Sequence, residues 1–380
     1  MQLLTNTFDS FGLDIGDRSI KAAYIKKRGT DFELVSFGKQ DIGSGVFSQG
    51  KIVEPKKLQQ SILKLVSSMY GKKIPTSYVH ACLPETHTFI KVLSIQPVSA
   101  DKLPAQIREE LPNHIPLNID ELYLDWHILP NPDEDQSNMN VLVGAIPKTT
   151  SDSYTNVLQQ IGLKTISLQI EAEAILRGML PLKTEYTEPL AVIDIGATRS
   201  SFVCYDKGTI QFTVSLPLAS DEITRQIMQA LKLSEEKAEQ AKRLCGLDPD
   251  KCDQAILKVL EPAIGSLASS ISQNSLFYTE HFDRAKPITS IMLCGGGANM
   301  RGIIKALSAK LPDKKIYLGN PLLNLTKRRK HVHETNKTNT SLDFIKNPKL
   351  TKDYNIPPEF AGSRQLSYAT AIGLALTNVT

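Results

Sequence analysis

The sequence predicts an α/β protein of two duplicated lobes, with a small α+β subdomain inserted in the first. Three observations carry that prediction. A chain of 380 residues exceeds one ordinary hydrophobic core and suits two. The phrase Gly-Leu-Asp-Ile-Gly at residues 12–16 returns as Val-Ile-Asp-Ile-Gly at 192–196, which sets Asp14 and Asp194 180 residues apart. Between them lies a strand–helix–strand–strand–helix run, the pattern of a compact α+β unit.

In chain order, residues 11–42 read as three strands joined by the turn Gly-Asp-Arg-Ser and a second turn at Gly29. The second half repeats the layout, with its second turn at Gly208. The two spans from acidic residue to turn glycine are 15 residues (Asp14 to Gly29) and 14 (Asp194 to Gly208). Asp and Gly are common turn residues, so two unrelated hairpins are the alternative; a shared strand-turn-strand-turn-strand layout favours duplication. Leu58, Ile62, Leu65 and Val66 predict a helix that stops before Gly71. Residues 85–165 predict the insertion, with strands over 87–95, 121–129 and 140–147, helices over 100–111 and 150–162, and an exposed loop at 131–140.

In the second half, Ser220 and Ser234 are predicted N-caps of helices over 221–233 and 235–244. A long, mostly helical stretch follows over 254–282. Residues 288–311 predict strand, glycine turn and helix. Residues 324–364 are polar and predict a loop, and a helix closes the chain. The expected division is 1–84 with 166–188 for the first lobe, 85–165 for the insertion, 189–220 with 286–380 for the second lobe, and 221–285 as its subdomain.

Composition excludes several classes. Hydrophobic residues at 41% and charged residues at 22% are those of an ordinary globular protein. A net charge of +4 spread over so large a surface makes no case for nucleic acid. No apolar run approaches the roughly 20 residues that span a bilayer, and the first residues lack the basic start and apolar centre of a secretion signal. A cytoplasmic protein is expected. The five cysteines (Cys82, Cys204, Cys245, Cys252, Cys294) are scattered and form no Cys-x-x-Cys pair, so reduced buried thiols are expected and zinc is not.

The turns suggest phosphate chemistry. Phosphates need several N–H donors close together, and glycine-bearing turns let the backbone approach. An Asp at the preceding strand end repels phosphate but can hold Mg²⁺ through water. Two such turns across a cleft would grip a triphosphate from both sides. The run Cys-Gly-Gly-Gly-Ala-Asn-Met at 294–300 supplies a third glycine turn between strand and helix. It matches neither Gly-x-Gly-x-x-Gly nor the Gly-x-x-x-x-Gly-Lys-Ser/Thr loop.

Asp-Ile-Gly near the start, Asp-Ile-Gly after an interdomain helix and Gly-Gly-Gly-Ala near the end resemble the phosphate-1, phosphate-2 and adenosine motifs of the actin-like ATPase superfamily. Within it, the stretches at 12–25, 103–129, 168–180, 190–227, 292–303 and 368–376 are similar to the PilM family of type IV pilus assembly proteins, relatives of the cell-division protein FtsA. The resemblance implies two ribonuclease-H-like lobes and the cofactors ATP and Mg²⁺. It implies Asp14, Gly16, Ser19 and Lys21 as the first phosphate jaw, and Asp194, Gly196, Ala197 and Thr198 as the second. Asp14 and Asp194 would stand near the metal. Gly295, Gly296, Gly297 and Ala298 would face the nucleotide, and Glu239 and Lys242 the ribose and base; an ordinary surface ion pair is the other reading of those two. Glu171, or Glu173, falls where relatives position the attacking water; both could equally be plain helix formers.

The resemblance further implies a scaffold at the inner face of the cytoplasmic membrane. It would bind the cytoplasmic N-terminal peptide of a PilN-like single-span protein, in a groove between the first subdomain and the insertion. A terminal amphipathic membrane helix like that of FtsA is not expected here. Two departures stand out. Ser270–Ser275 replace a motif that in the family carries Glu and Arg, and Lys327, Arg328, Arg329 and Lys330 form a basic run in the 324–364 loop. That run reads as a solvated loop or as a contact for anionic lipid. A phosphotransferase on the same cleft is the alternative, although residues 43–85 show no Asp-based constellation for it. Self-association into filaments is a third reading.

Overall fold

Each half opens with three antiparallel strands. The computed structural model describes residues 8–48, 50–83, 88–115, 117–129, 138–182, 188–282, 284–325, 362–377 and 379. In the first half, β1 (Ser10–Ile15), β2 (Ser19–Arg28) and β3 (Asp31–Asp41) are followed by a short hairpin of β4 (Phe47–Ser48) and β5 (Lys51–Ile52). Helix α1 (Pro55–Ser67) buries the Leu58, Ile62 and Leu65 stripe. Then come β6 (Tyr70–Gly71) and β7 (Tyr78–Leu83). The insertion contains β8 (Phe89–Ile95), α2 (Leu103–Glu110), β9 (Leu122–Ile128) and β10 (Met139–Pro147). Helix α3 (Lys148–Gln160), β11 (Lys164–Ile170) and α4 (Glu171–Met179) lead out of it.

The second half begins with β12 (Leu190–Ile195), β13 (Ser200–Asp206) and β14 (Thr209–Leu216). Helices α5 (Ser220–Leu231), α6 (Glu235–Leu244) and α7 (Ala255–His281) follow. The half ends with β15 (Ser290–Cys294), α8 (Ile303–Lys310), β16 (Lys315–Leu318) and α9 (Ala369–Leu376).

The sheets reveal the duplication. The first runs β11-β7-β1-β2-β3-β6 and the second β16-β15-β12-β13-β14. β1 and β12 each pair antiparallel with the next strand and parallel with β7 or β15. Five strands therefore correspond one for one in order and sense. The insertion forms its own antiparallel sheet, β8-β10-β9, over a core of Leu93, Ile107, Leu111, Val141 and Val143.

The lobes are joined by two helices that exchange sides. α4 leaves the first sheet, yet Ala172, Ile175 and Met179 pack in the second-lobe core. α9 ends the second half, yet Ala371, Ile372 and Ala375 pack with Ala23 and Ile25 of β2. The two helices meet backbone to backbone. A Cβ on Gly373 would lie 1.7 Å from the Ala174 carbonyl oxygen, so only glycine fits the crossing.

Several expectations need correction. Helix α3, expected in the insertion, buries Tyr154, Val157 and Leu158 in the first-lobe core beside Leu58 and Ile62. Its apolar stripe is complementary to α1, a contact that local periodicity does not reveal. α5 begins at Ser220 itself, with Ala219 as N-cap and no side-chain cap; Ser234 does cap α6. Cys245 and Cys252 are bonded, with Cα atoms 5.9 Å apart, rather than reduced. The chain turns back after α6 through Gly246 at φ 55°, and left-handed residues 252–254 bring the second sulfur round. Cys82, Cys204 and Cys294 are free and buried, as expected. Among the described residues, one helical stretch, Cys252–His281, is long and apolar enough by length and composition to cross a membrane. Its Ile256, Leu260, Ile264, Leu267 and Ile271 nevertheless pack in the second-lobe core. The loop tip at 131–137 and the basic run at 327–330 lie outside the described residues.

Candidate functional site

The two acidic turns are built the same way. Asp14 stands one residue before the end of β1, opposite Lys21 of β2, and Asp194 one residue before the end of β12, opposite Ser201 of β13. Each turn closes with a backbone bond across it: Gly16 N–H donates to Ser19 O (3.1 Å) and Gly196 N–H to Arg199 O (2.9 Å). Even the thiols correspond. Cys82 of β7 donates to Asp14 Oδ1 and Cys294 of β15 to Asp194 Oδ1, both at 3.6 Å. Burial, with the neighbouring carboxylates, pushes both thiols well above the usual range.

The carboxylates share one field. Asp14 is buried and receives Lys21 Nζ at 2.9 Å. Burial and the charge of Asp14 push Asp194 up to about 6, against the pull of Lys21 and Cys294. Burial opposes the charge on Lys21, yet Asp14, Glu171 and Asp194 together raise its ammonium above the ordinary value. Glu171, the first residue of α4, acts electrostatically on Lys21 and on both thiols. Glu173 points elsewhere: burial raises it, and its charged neighbours are Arg177, Asp125 and His127. Of the two glutamates, Glu171 stands with the acidic turns.

The turns also touch each other. Thr198 Oγ1 donates to Asp17 Oδ2, and Arg199 Nη2 lies 3.0 Å from the same oxygen. Arg18 Nε lies 2.7 Å from Asp221 Oδ2 at the start of α5. The second turn is itself bonded to that helix, because Ser220 N–H donates to Gly196 O and Asp221 N–H to Ala197 O. Ala197 and Thr198 therefore sit against α5 on one side and the first turn on the other.

Glu239 and Lys242 form more than a surface pair. Lys242 is buried, donating to Ser220 O (3.1 Å), Ser220 Oγ (2.8 Å) and Thr224 Oγ1 (2.7 Å), and pairing with Glu239 Oε2 at 2.6 Å. Burial pushes Glu239 up, but bonds from Lys242, Thr224 and Arg243 bring its carboxyl below the ordinary value. The pair ties α6 to the helix start that holds the second turn.

The three glycines of the third turn differ in their reasons. Gly295 sits at φ +81°, and a Cβ there would lie 2.2 Å from Asp194 Oδ1. A Cβ on Gly297 would meet Ile195 at 2.2 Å. These two admit the end of β12, whereas exposed Gly296 has open space beside it. Ala298 is buried in the second-lobe core. Ser19 opens β2 and accepts the turn-closing bond through its carbonyl. Sequence reasoning passed over Asp17, Arg199, Arg18 and Asp221. Their charge in otherwise small turns was the available signal.

Comparison with known proteins places this arrangement. The chain matches the family described as type IV pilus assembly protein PilM over residues 12–379. Its fold is similar to a chain of the PilM-PilN type IV pilus biogenesis complex, with TM-score 0.76 and 21% identity, covering 98% of this chain and 99% of that one. It is also similar to the ethanolamine utilization protein EutJ from Carboxydothermus hydrogenoformans (TM-score 0.53, 14% identity, 96% of this chain and 88% of that one). A third likeness is to MreB 5 of Spiroplasma citri bound to AMPPNP (TM-score 0.50, 16% identity, 83% and 92%). At these identities the likeness is one of fold, the actin-like ATPase fold. With the family matched over nearly its whole length, the chain belongs to the PilM family of type IV pilus assembly proteins.

Proposed function

We propose that the chain is an ATP-binding scaffold of a pilus, or related secretion or DNA-uptake, assembly complex at the inner membrane. The observation that carries this reading is the meeting of the duplicated turns, with Asp14, Lys21, Asp194 and Glu171 in one electrostatic cluster. A neighbour of the same fold bound to AMPPNP supports a nucleotide there. Gly16, Ser19 and Lys21 would hold phosphate from one side, Gly196, Ala197 and Thr198 from the other. Gly296 would face the nucleotide, with Gly295 and Gly297 shaping its turn and Glu239 and Lys242 on the ribose side.

The donor set suits Mg²⁺. Among the described residues no group of three His, Cys, Asp or Glu side chains could hold a metal unaided. A pair of carboxylates that completes its shell with water and phosphate is the ordinary Mg²⁺ arrangement. Asp14 and Asp194 would hold the ion through water. When bound, it supplies the positive charge that lets phosphates and carboxylates share the cleft. Glu171 is the one candidate to position a water, and turnover is expected to be weak or absent.

The partner reading follows the PilM-PilN complex, whose PilM fold this chain shares. The N-terminal peptide of a PilN-like single-span protein would dock between the first lobe and the insertion, holding the chain at the cytoplasmic face beside the assembly platform. Edge strand β9 supports a role in docking, because it exposes Tyr123, Trp126 and Ile128.

Calorimetry with Mg²⁺-ATP tests the cleft. Asp14→Ala and Asp194→Ala should each weaken binding by roughly 50-fold or more, the loss of one charge-assisted contact set. Wild-type affinity in both variants would remove the cleft as the site. Capture of the synthetic partner peptide, with and without Mg²⁺-ATP, tests the scaffold role; no capture in either condition would sink it.

A further inference from the structure

One residue in the cleft is placed against its own site. The strand correspondence sets Asp17, one position after Gly16, opposite Ala197, one position after Gly196. The first turn thus carries a carboxylate where the second carries a methyl group. That carboxylate is spent across the cleft: Thr198 and Arg199, both of the second turn, give their donors to its Oδ2. Its side chain is only 14% exposed and that of Arg199 29%, so the pair is shielded from water. The outer tie between Arg18 and Asp221 is open, at 42% and 40%.

A hydroxyl and a guanidinium beside a glycine turn are donors suited to a phosphate oxygen. Here an internal carboxylate already occupies them. An incoming phosphate must take Thr198 and Arg199 from Asp17 and then lie close to the released negative charge. Both effects lower the affinity for phosphate-bearing ligands and leave contacts to the base unchanged.

We propose that Asp17 is a specificity-setting residue: an internal anion that bridges the lobes through Thr198 and Arg199 and is displaced when the phosphates of a nucleotide bind. This rests on the reading of the cleft as a nucleotide site. Displacement removes this tie between the two turns, while the Arg18–Asp221 pair and the α4–α9 crossing continue to join the lobes. Occupancy of the cleft is thereby coupled to the separation of the lobes.

The test is calorimetry on the full chain with Mg²⁺-ATP and with adenosine, for wild type, Asp17→Asn and Asp17→Ser. Circular dichroism confirms that each variant folds, and the serine variant stands in if the asparagine one does not. Both variants should bind Mg²⁺-ATP about 5- to 20-fold more tightly, the scale of one charge-assisted contact regained and one repulsion lost. Adenosine affinity should be unchanged. Small-angle scattering should show the unliganded variants with the lobe separation that wild type adopts only with Mg²⁺-ATP. Equal Mg²⁺-ATP affinity in wild type and variants overturns the role of Asp17 and leaves the site standing. Weaker binding in the variants also overturns it, making Asp17 a ligand instead of a competitor. No binding of Mg²⁺-ATP to any of the three proteins removes the nucleotide site, and the proposal with it.

Discussion

The two acidic turns have one backbone and two charge balances. Both place an Asp at a strand end, close with the same turn bond and receive a thiol from the neighbouring parallel strand. They differ in what faces the Asp across the hairpin. Asp14 has the ammonium of Lys21 at 2.9 Å, while Asp194 has the register partner Ser201. Duplication kept the parts that shape the turn, and divergence changed the parts that neutralise it. One lysine now serves both carboxylates, and the second is left with its pKa pushed up to about 6. An asymmetric site of this kind can be stable when empty and still have a use for a cation.

The largest test of that comparison is Lys21→Met. It leaves Asp14 buried without its partner and Asp194 without its nearest relief. Breaking a buried pair in this way costs about 3–5 kcal/mol, to be read from urea unfolding. A loss below about 1 kcal/mol would mean that the two carboxylates are neutralised by something else.

Next is Asp194→Asn. The folded-state pKa of Asp194, about 6, is above its ordinary value of 3.8, so the ionised form burdens the fold. The stability tied to the protonated form is fully present below about pH 3.8 and is lost as pH rises through 6. The Asn variant should therefore be more stable than wild type at pH 8, by on the order of 2–3 kcal/mol, with no gain at pH 3.5. Thermal melts at the two pH values decide it. A gain that does not depend on pH would show that packing, not charge, is responsible.

Lys242→Met examines the support behind the second turn. It removes three hydrogen bonds to the start of α5 and should cost about 1–3 kcal/mol. It should also loosen hydrogen exchange at Ser220 and Asp221. Protection unchanged there would show that Lys242 does not hold the turn. The smallest effect belongs to Ser201→Ala, the register equivalent of the lysine change, at within about 1 kcal/mol. A cost near that of Lys21→Met would erase the asymmetry.

The features legible in the sequence were those carried by short stretches. Asp14 and Asp194 announce their turns because the glycine and the flanking apolar runs lie within a few residues of each. The stripe of Leu58, Ile62 and Leu65 announces α1 for the same reason. The missed features join segments far apart in the chain. Asp17 meets Arg199 182 residues away, a pairing that neither stretch encodes alone. Lys242 looks like half of an exposed i,i+3 pair until α5 is laid over it, and Ser220 looks like a cap until its hydroxyl is seen to accept from that lysine. Gly295 and Gly297 admit the end of β12, a strand about 100 residues away in the chain. Glycine signals close approach, but not of what.

The crossing of α4 and α9 has a mechanical consequence. Where Gly373 lies against Ala174 there is no side chain to compress, and sliding would drive backbone into backbone. Rotation about the contact is the cheap motion left, which makes the crossing a fulcrum. Each arm of the lever is anchored in the opposite lobe, so a turn of a few degrees at the glycine is magnified toward the rims of the molecule. A methyl group at position 373 would be driven into the Ala174 backbone and would force the two helices apart, moving the lobes they are anchored in.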